Sequence, residues 1–138
     1  MELNKIKNNY NTMSKIIGFD YWQVISHYPE YFRELADMHR EAGYGVVVIS
    51  AVGKRIAGTV DDDVRQLGFS NEICVYEVQF DHPRESPALK LAKCIELGVT
   101  VFYDDRADVC ALLNANGIMT LQVPRKDGSV YDLRGERV

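Results

Sequence analysis

The sequence predicts an α/β domain in three layers, with helices on both faces of a central parallel sheet of five strands. Short apolar runs rich in β-branched residues, such as "GVVVIS" at 45–50, are typical of strands that are covered on both faces. These runs alternate five times along the chain with segments of helical periodicity. The alternation favours a parallel, Rossmann-like sheet.

The composition is that of one ordinary globular domain. The chain has 138 residues, of which 46% are hydrophobic and 26% are charged, and its net charge is −4. This acidic balance argues against a broad electrostatic grip on nucleic acid. No apolar run reaches the roughly 18 residues of a membrane span, so we expect no membrane insertion.

The cysteines and the N-terminus indicate a cytoplasmic protein. Three widely spaced cysteines without a CxxC pair argue against a disulfide framework or a thiolate zinc site, and they favour a reducing compartment. Residues 1–13 are rich in Asn and Lys and lack the apolar segment of a signal peptide. We therefore predict a flexible extension at 1–13 and a single domain at 14–138.

The first elements are predicted from apolar spacing and from residues typical of helix ends. An apolar strand is predicted at 15–20 and a β-branched strand at 45–50. Pro29 begins the helix between them, because its missing N–H costs nothing in the first turn. A weaker helix is predicted at 54–67, where Gly58 lowers the helical propensity.

The second half of the chain repeats the alternation. Ser86 suits the N-cap of a helix that ends at Gly98, with Pro87 in its first turn. Asp127 and Gly128 predict a turn and a small hairpin in the tail. The remaining elements are strand three at 72–78, helices at 86–97 and 106–116, strand four at 99–105 and strand five at 118–123.

Polar side chains follow the strands at the sheet edge where α/β proteins bind their ligands, beyond the carboxyl ends. Strand one ends in Asp20, strand two in Ser50, and strand four in Asp104 and Asp105. Lys90 lies in the first turn of the helix after strand three, at the same edge. We therefore expect these side chains to converge although they are distant in sequence.

This set of side chains suits a metal ion and a phosphate. Carboxylates from two strands make an oxygen-lined pocket for Mg²⁺, which prefers a few carboxylates, waters and substrate phosphate oxygens. A hydroxyl and an ammonium suit the other phosphate oxygens. A carboxylate that faces a metal-neutralised phosphate can attack it and form an aspartyl-phosphate. The pattern thus predicts Mg²⁺ and a phosphorylated small molecule or macromolecule as ligands.

Four motifs between residue 15 and about residue 123 resemble those of the haloacid dehalogenase-like (HAD) superfamily, which consists mostly of Mg²⁺-dependent phosphatases. "IIGFD" resembles motif I, "VVVIS" resembles motif II, and "LKLAKCIELGVTVFYDDR" resembles motifs III and IV joined. The resemblance implies that Asp20 is the nucleophile and a metal ligand. It also implies that Ser50 and Lys90 bind phosphate.

The same resemblance implies the rest of the metal site and the sheet order. Asp104 and Asp105 would complete the metal site, with the backbone carbonyl of Trp22 as a further ligand. The strands would lie in the order 5-4-1-2-3, without a helical cap domain. Lys93, one turn after Lys90, is the alternative for the motif III lysine.

Motif I of this chain departs from the phosphatase pattern D-x-D-x-T/V. The second aspartate of that pattern protonates the leaving group and later activates water, and here Trp22 takes its place. An indole cannot do this work, which typically contributes about 10²–10⁴-fold. We therefore expect a slow phosphohydrolase, served by a good leaving group or an acid from the substrate. The alternative is a catalytically inactive binding or regulatory module of the same fold.

A dehalogenase is the third interpretation of motif I, and chain length argues against it. The dehalogenases of the family also lack the second aspartate, but they enclose their substrate with a helical cap. Only 29 residues separate Asp20 from Ser50 and 39 separate Ser50 from Lys90, and predicted elements already fill both segments. Without a cap the substrate could be large, or a second copy or a partner chain could cover the site.

Several of these residues also have a structural interpretation. Asp104 and Asp105 could form an ion cluster with Arg106 that has no ligand. Tyr31 and Phe32 have helical spacing and are predicted to pack in the core. The aromatic residues left open between packing and a flap over the site are Tyr21, Trp22 and Tyr28.

Overall fold

The computed structural model describes residues 15–130, 132–134 and 136, and the extension predicted at 1–13 lies outside them. Five strands form one sheet: β1 (Ile16–Phe19), β2 (Gly45–Gly53), β3 (Cys74–Phe80), β4 (Val99–Asp104) and β5 (Met119–Gln122). Four α-helices connect them: α1 (Pro29–Glu41), α2 (Val60–Gln66), α3 (Ser86–Leu97) and α4 (Ala107–Ala115). Shorter helical turns lie at Tyr21–Ile25, Lys54–Ile56 and Pro83–Glu85.

All neighbouring strands of the sheet are parallel, in the order β3-β2-β1-β4-β5. Read from the β5 edge, this order is 5-4-1-2-3. The predicted fold class, an α/β fold with a parallel five-stranded sheet between helices, is confirmed. Because β1 lies between β2 and β4, the residue that follows it stands at the middle of the carboxyl edge.

The sheet separates two apolar cores, which explains why its strands are apolar on both faces. On one face α1 and α2 pack against β1 and β2, where the rings of Phe19, Phe32 and Tyr103 meet edge-on at centroid distances of 5.1–5.5 Å. On the other face α3 and α4 pack around the fully buried Phe102. Of the two residues predicted to pack, Phe32 is buried and Tyr31 is largely exposed.

The predicted helix at 54–67 is wrong in its first half. A short 3₁₀ turn follows β2 instead, and α2 begins only at Val60. Gly58 has a left-handed backbone (φ +99°), which an α-helix does not accept. The Glu77 side chain accepts the backbone N–H groups of Gly58 (2.6 Å) and Val60 (3.0 Å), so a residue of β3 fixes where α2 starts.

Two other details differ from the sequence-based expectation. Helix α3 begins at Ser86 itself, after a 3₁₀ turn that is closed by reciprocal hydrogen bonds between His82 and Glu85, so Ser86 is not the N-cap. In the tail, the Gly128 N–H donates to the Arg125 carbonyl and forms the predicted turn, but the described residues beyond it contain no strand.

Within the described part of the chain, neither the connection from β1 to β2 nor the connection from β2 to β3 contains a helical cap domain. A π-type turn and α1 occupy the segment between β1 and β2, and a 3₁₀ turn and α2 occupy that between β2 and β3. Among the described residues, no helix is both long and apolar enough to cross a membrane.

We predict that Gly18 tolerates no side chain, because β1 passes directly over the Phe102 ring there. A Cβ at Gly18 would lie 2.5 Å from Phe102 Cδ1. Gly18→Ala should lower the free energy of unfolding by about 1–3 kcal/mol through overpacking, as measured by urea denaturation. Gly45→Ala is the matched control, since its Cβ would meet Ile16 at no less than 3.4 Å. Equal losses in the two variants would contradict the packing described.

A second prediction concerns the cysteines. Burial raises the pKa of Cys94 and the pKa of Cys110 to about 12 each, whereas Cys74 is exposed. At pH 8 only about 10⁻⁴ of each buried thiol is ionised, and the thiolate is the reactive form. We expect a thiol reagent to modify Cys74 alone in the native protein, as read by mass spectrometry. Rapid native labelling of the other two would contradict the fold, and urea should expose all three.

Candidate active site

Asp20 stands at the centre of the carboxyl edge, directly after β1. Its backbone N–H donates to the Tyr103 carbonyl of β4 (2.9 Å), so sheet pairing continues past the last strand residue and fixes the aspartate. The side chain is only 4% exposed. Its Oδ1 lies 3.1 Å from Lys90 Nζ. The carboxylate is therefore held in place by a cation from another element.

Lys90 is the buried cation that links two strands of the site. It lies in the second turn of α3, is 2% exposed, and its Nζ also donates to Asp104 Oδ2 at 2.5 Å. Lys93 lies elsewhere: its Nζ pairs with Glu96 (3.1 Å) and sits 5.4 Å from the centroid of the Tyr76 ring. The sequence left Lys90 and Lys93 as alternatives for the motif III lysine, and of the two it is Lys90 that contacts Asp20.

Three carboxylates gather around that ammonium. Asp20, Asp104 and Asp105 each offer an oxygen within 4.8 Å of the other two, and all three residues are buried. Asp105 Oδ2 also lies 3.0 Å from Arg125 Nε, in the segment that follows β5. The four acidic and basic residues that the sequence predicted to converge from β1, β4 and α3 do converge.

Burial and mutual charge interactions shift the pKa values of Asp20, Asp105 and Lys90 in this cluster. Burial, together with the charges of Asp104 and Asp105, raises the pKa of Asp20 well above its usual value despite the nearby lysine. Burial and the Asp104 charge likewise raise the pKa of Asp105. Burial alone would lower the pKa of Lys90, but Asp104 and Asp20 outweigh it and raise that pKa. Three carboxylates thus share two directly paired cations, Lys90 and Arg125.

The cluster opens into a cavity of about 180 Å³ whose walls differ in character. Its acidic and basic lining residues follow β1, β4 and β5 or lie on α3. Its apolar lining includes one tryptophan and one phenylalanine. The lining residues are Asp20, Trp22, Gln23, Ala51, Phe80, Pro83, Ser86, Lys90, Asp105, Arg106 and Arg125.

Trp22 enters this cavity because the chain kinks directly after it. Tyr21–Ile25 forms a π-type turn in which Trp22 is extended (φ −69°, ψ 131°) and Gln23 is left-handed (φ +67°, ψ −2°). Gln23 is the one non-glycine residue with positive φ in the described part of the chain. Tyr21 joins the core, whereas Trp22 stays 43% exposed and rests edge-on against the Tyr21 ring. Tyr28 is partly buried against the core, and its hydroxyl donates to the Pro124 carbonyl.

Besides Asp104, which belongs to the buried carboxylate group, Ser50 is the predicted site residue that does not line the cavity. It is fully buried, and β2 continues past it to Gly53 because β2 pairs with β3 as far as Phe80. Ala51 lines the cavity in its place. The hydroxyl that does line it belongs to Ser86, which is 1% exposed, and Ser86 Oγ has no hydrogen-bond partner. Ser86 lies one helical turn before Lys90 on α3, so both face the same side.

Arginines also hold positions that the sequence-based reasoning did not assign. The guanidinium of Arg106 binds Asp108 through two hydrogen bonds (2.7 and 3.0 Å), and its backbone N–H donates to Asp104 Oδ1. The ion pair with Asp105 comes instead from Arg125. Arg125 follows β5 at the carboxyl edge, so the same edge rule that selected Asp20 could have selected it. For Ser86, the signal was its spacing of four from Lys90.

The donor set fits a hard divalent cation. Asp20, Asp104 and Asp105 supply oxygen ligands only, from two neighbouring strands, as Mg²⁺ prefers. Asp20 and Asp105 also line the cavity, where an ion could contact a ligand. The identity of the ion and the part played by the Trp22 carbonyl stay predictions.

Comparisons with protein-family models and with curated proteins return no significant match. The function therefore has to be argued from the geometry of the site.

We predict that Lys90 is required for the stability of the site and Lys93 is not. Lys90→Met would leave its two carboxylate partners buried without their cation, and removing one partner of a buried ion pair typically costs about 3–5 kcal/mol. Lys93→Met removes a partly exposed pair worth about 0–1 kcal/mol. Urea denaturation of the two variants gives the comparison. Equal stability of the two would mean that the Lys90 contacts do not exist in solution.

Proposed function

We propose that this chain is a Mg²⁺-dependent phosphohydrolase that forms an aspartyl-phosphate on Asp20. The observation that supports it most is the buried Asp20 carboxylate, which lines the cavity beside Lys90 and within a group of three carboxylates. Such a carboxylate is a nucleophile held in one orientation, and orientation lowers the entropy cost of attack. The resemblance to the HAD superfamily points to the same chemistry.

Cations among the cavity-lining residues support a phosphate as the ligand. Lys90, Arg106 and Arg125 all line it, and arginine suits phosphate because its planar fork donates two parallel hydrogen bonds. We assign the hydroxyl contact to Ser86, whose Oγ is unpartnered and lines the cavity. The role that the resemblance implies for Ser50 stays a prediction: Ser50 Oγ also lacks a hydrogen-bond partner, but Ser50 is fully buried and does not line the cavity.

In this mechanism Asp20 attacks the phosphorus atom in line with the leaving oxygen, while Lys90 holds the carboxylate in place. Mg²⁺ held by Asp20, Asp104 and Asp105 would neutralise charge on the phosphate. Water then attacks the phosphorus of the aspartyl-phosphate, the bond to Asp20 breaks, and inorganic phosphate leaves. In the first step the bond between phosphorus and the leaving oxygen breaks, and that oxygen takes a proton from water. In the second step hydrolysis restores the Asp20 carboxylate, so the protein turns over.

The expected rate is low, because Trp22 stands where the motif that this chain resembles has its acid–base aspartate, and the two carboxylates among the described cavity-lining residues, Asp20 and Asp105, are both ion-paired. Asp20 is assigned to attack, Asp105 is paired with Arg125, and Trp22 and Gln23 carry no ionisable group. This deficit also favours the alternative, a binding or regulatory module that holds a phosphorylated ligand without turnover. A second copy or a partner chain over the open cavity remains compatible with either function.

The experiment that decides between the two is phosphate release from a panel of phosphate esters, with and without Mg²⁺. We expect slow, Mg²⁺-dependent release that Asp20→Asn abolishes. Asp37→Asn is the matched control: it makes the same chemical change at an exposed residue of α1 and should leave the rate unchanged. Circular dichroism verifies that both variants fold. Release that survives in Asp20→Asn would overturn the aspartyl-phosphate on Asp20, and release that is absent from wild type would favour a binding module.

The two serines give a further prediction within the proposed site. Ser86→Ala should weaken inorganic phosphate binding by about fivefold to tenfold, the effect of losing roughly 1–1.5 kcal/mol of hydrogen bonding. Ser50→Ala should leave it within about twofold. Trp22 is the single tryptophan and lines the cavity, so its fluorescence reports the titration. The reverse ranking would return the phosphate role to Ser50.

A further inference from the structure

Part of the cavity lining is apolar, and the proposed function does not use it. Trp22 and Phe80 form this part together with Pro83. Trp22 is the largest side chain that lines the cavity, yet it remains 43% exposed. Its aromatic contact within the described residues is with the edge of the Tyr21 ring. Core packing therefore does not account for its position.

The backbone pays conformational strain where it directs Trp22 into the cavity. Gln23 adopts the left-handed region without being glycine, asparagine or aspartate, which is uncommon and energetically unfavourable for such a residue. Its Oε1 is buried without a partner, and its N–H donates to Ser26 Oγ at 3.0 Å. Strain of this kind concentrates at ligand sites.

The chemistry of motif I also restricts the leaving group, and it favours one that is aromatic. Because Trp22 cannot protonate the departing oxygen, that oxygen has to leave as an anion. An alcohol is about as weak an acid as water, with a pKa of roughly 16, whereas a phenol has a pKa of about 10, as in tyrosine. A phenolic oxygen is therefore the better leaving group by roughly six orders of magnitude in basicity.

We propose that the substrate of this site is an aryl phosphate, whose ring lies against Trp22 and Phe80 while its phosphate meets Lys90, Ser86 and Asp20. This inference rests on the proposed function. Asp20 forms a bond to phosphorus, the bond between phosphorus and the phenolic oxygen breaks, and the phenoxide leaves with the electron pair and takes a proton from water. Water then cleaves the aspartyl-phosphate, which restores the Asp20 carboxylate and releases inorganic phosphate.

The presence of tryptophan at position 22 thus explains both the missing proton donor and the apolar surface of the cavity. Tryptophan at position 22 removes the proton donor and provides a flat apolar surface, and a ring stacked on an aromatic side chain typically gains about 1–3 kcal/mol, or about 5- to 150-fold in affinity. The aryl phosphate could be a small molecule or a phosphotyrosine side chain, since the described chain forms no cap over the cavity. Both present the same ring and the same phosphate.

The test compares kcat/KM for four substrates in the presence of Mg²⁺: phenyl phosphate, cyclohexyl phosphate, acetyl phosphate and a phosphotyrosine peptide. Phenyl phosphate has the ring and the good leaving group, cyclohexyl phosphate has neither an aromatic ring nor a good leaving group, and acetyl phosphate has a good leaving group without a ring. We expect phenyl phosphate to exceed cyclohexyl phosphate by at least about 100-fold, the smallest usual contribution of a general acid. A comparison of kcat/KM for the phosphotyrosine peptide with that for phenyl phosphate distinguishes a phosphotyrosine side chain from a small aryl phosphate as the substrate.

Two variants separate the ring contact from the leaving-group effect. Trp22→Ala should lower kcat/KM for phenyl phosphate at least about fivefold more than for acetyl phosphate, because only the former loses a stacking partner. Trp22→Asp should raise cyclohexyl phosphate turnover relative to phenyl phosphate, because it restores a proton donor for the poor leaving group. Tyr31→Ala, at an exposed aromatic residue of α1 outside this cavity, is the control and should change none of these ratios.

The outcomes distinguish this inference from the proposed function. If esters are hydrolysed but cyclohexyl phosphate is turned over as fast as phenyl phosphate or faster, or if Trp22→Ala lowers all rates equally, the aryl assignment is overturned and the phosphohydrolase stands. If no ester is hydrolysed, the phosphohydrolase is overturned, and binding decides the ring assignment. Phenylphosphonate should then quench Trp22 fluorescence at a concentration at least about fivefold below that needed for methylphosphonate, and equal affinities would overturn the ring contact as well.

Discussion

The ammonium of Lys90, held between Asp20 and Asp104, is the interaction on which this site depends. Burying any one of these charges alone would be prohibitive, since an isolated ion loses several kcal/mol of hydration that only a close partner offsets. The lysine comes from α3 and the carboxylates from the ends of β1 and β4, so the contact also fixes a helix against the two central strands. Phosphate chemistry at Asp20 requires the same fixed orientation.

The cavity is lined by both charged and apolar side chains, and together they restrict the kind of ligand that fits. Its charged side gathers carboxylates and cations at the carboxyl edge, where the ends of parallel strands leave room between helices. Its apolar side is formed by Trp22 and Phe80, from the ends of β1 and β3. The proposed ligand, with a phosphate at one end and a flat ring at the other, would contact both groups of residues.

The segment after β5 contributes more to the site than its position in the chain indicates. The Tyr28 hydroxyl donates to the Pro124 carbonyl at 2.6 Å, which fixes the start of this segment against α1. The next residue, Arg125, then reaches Asp105. The first segment after β1 and the last segment after β5 thus meet over the same sheet edge, and a change in either alters the charge balance around Asp20.

Much of the fold and part of the site were determined by the sequence alone. The alternation of β-branched runs with helical periodicity gave the parallel sheet, because strands covered on both faces must be apolar throughout. The edge rule then brought Asp20, Lys90, Asp104 and Asp105 together, since the three aspartates end or follow a strand and Lys90 lies near the start of a helix at that edge. These features depend on local pattern, which a single sequence contains.

Other features were decided only by the tertiary structure. Whether Ser50 or Ser86 faces the cavity depends on how far β2 stays paired with β3, and α2 starts where Glu77 of β3 accepts its first N–H groups. Arg125 reaches Asp105 from the segment after β5, while the Arg106 side chain binds Asp108. The physical reason is common to all three: each outcome is a competition between partners distant in sequence, and only the folded chain sets the distances that decide it.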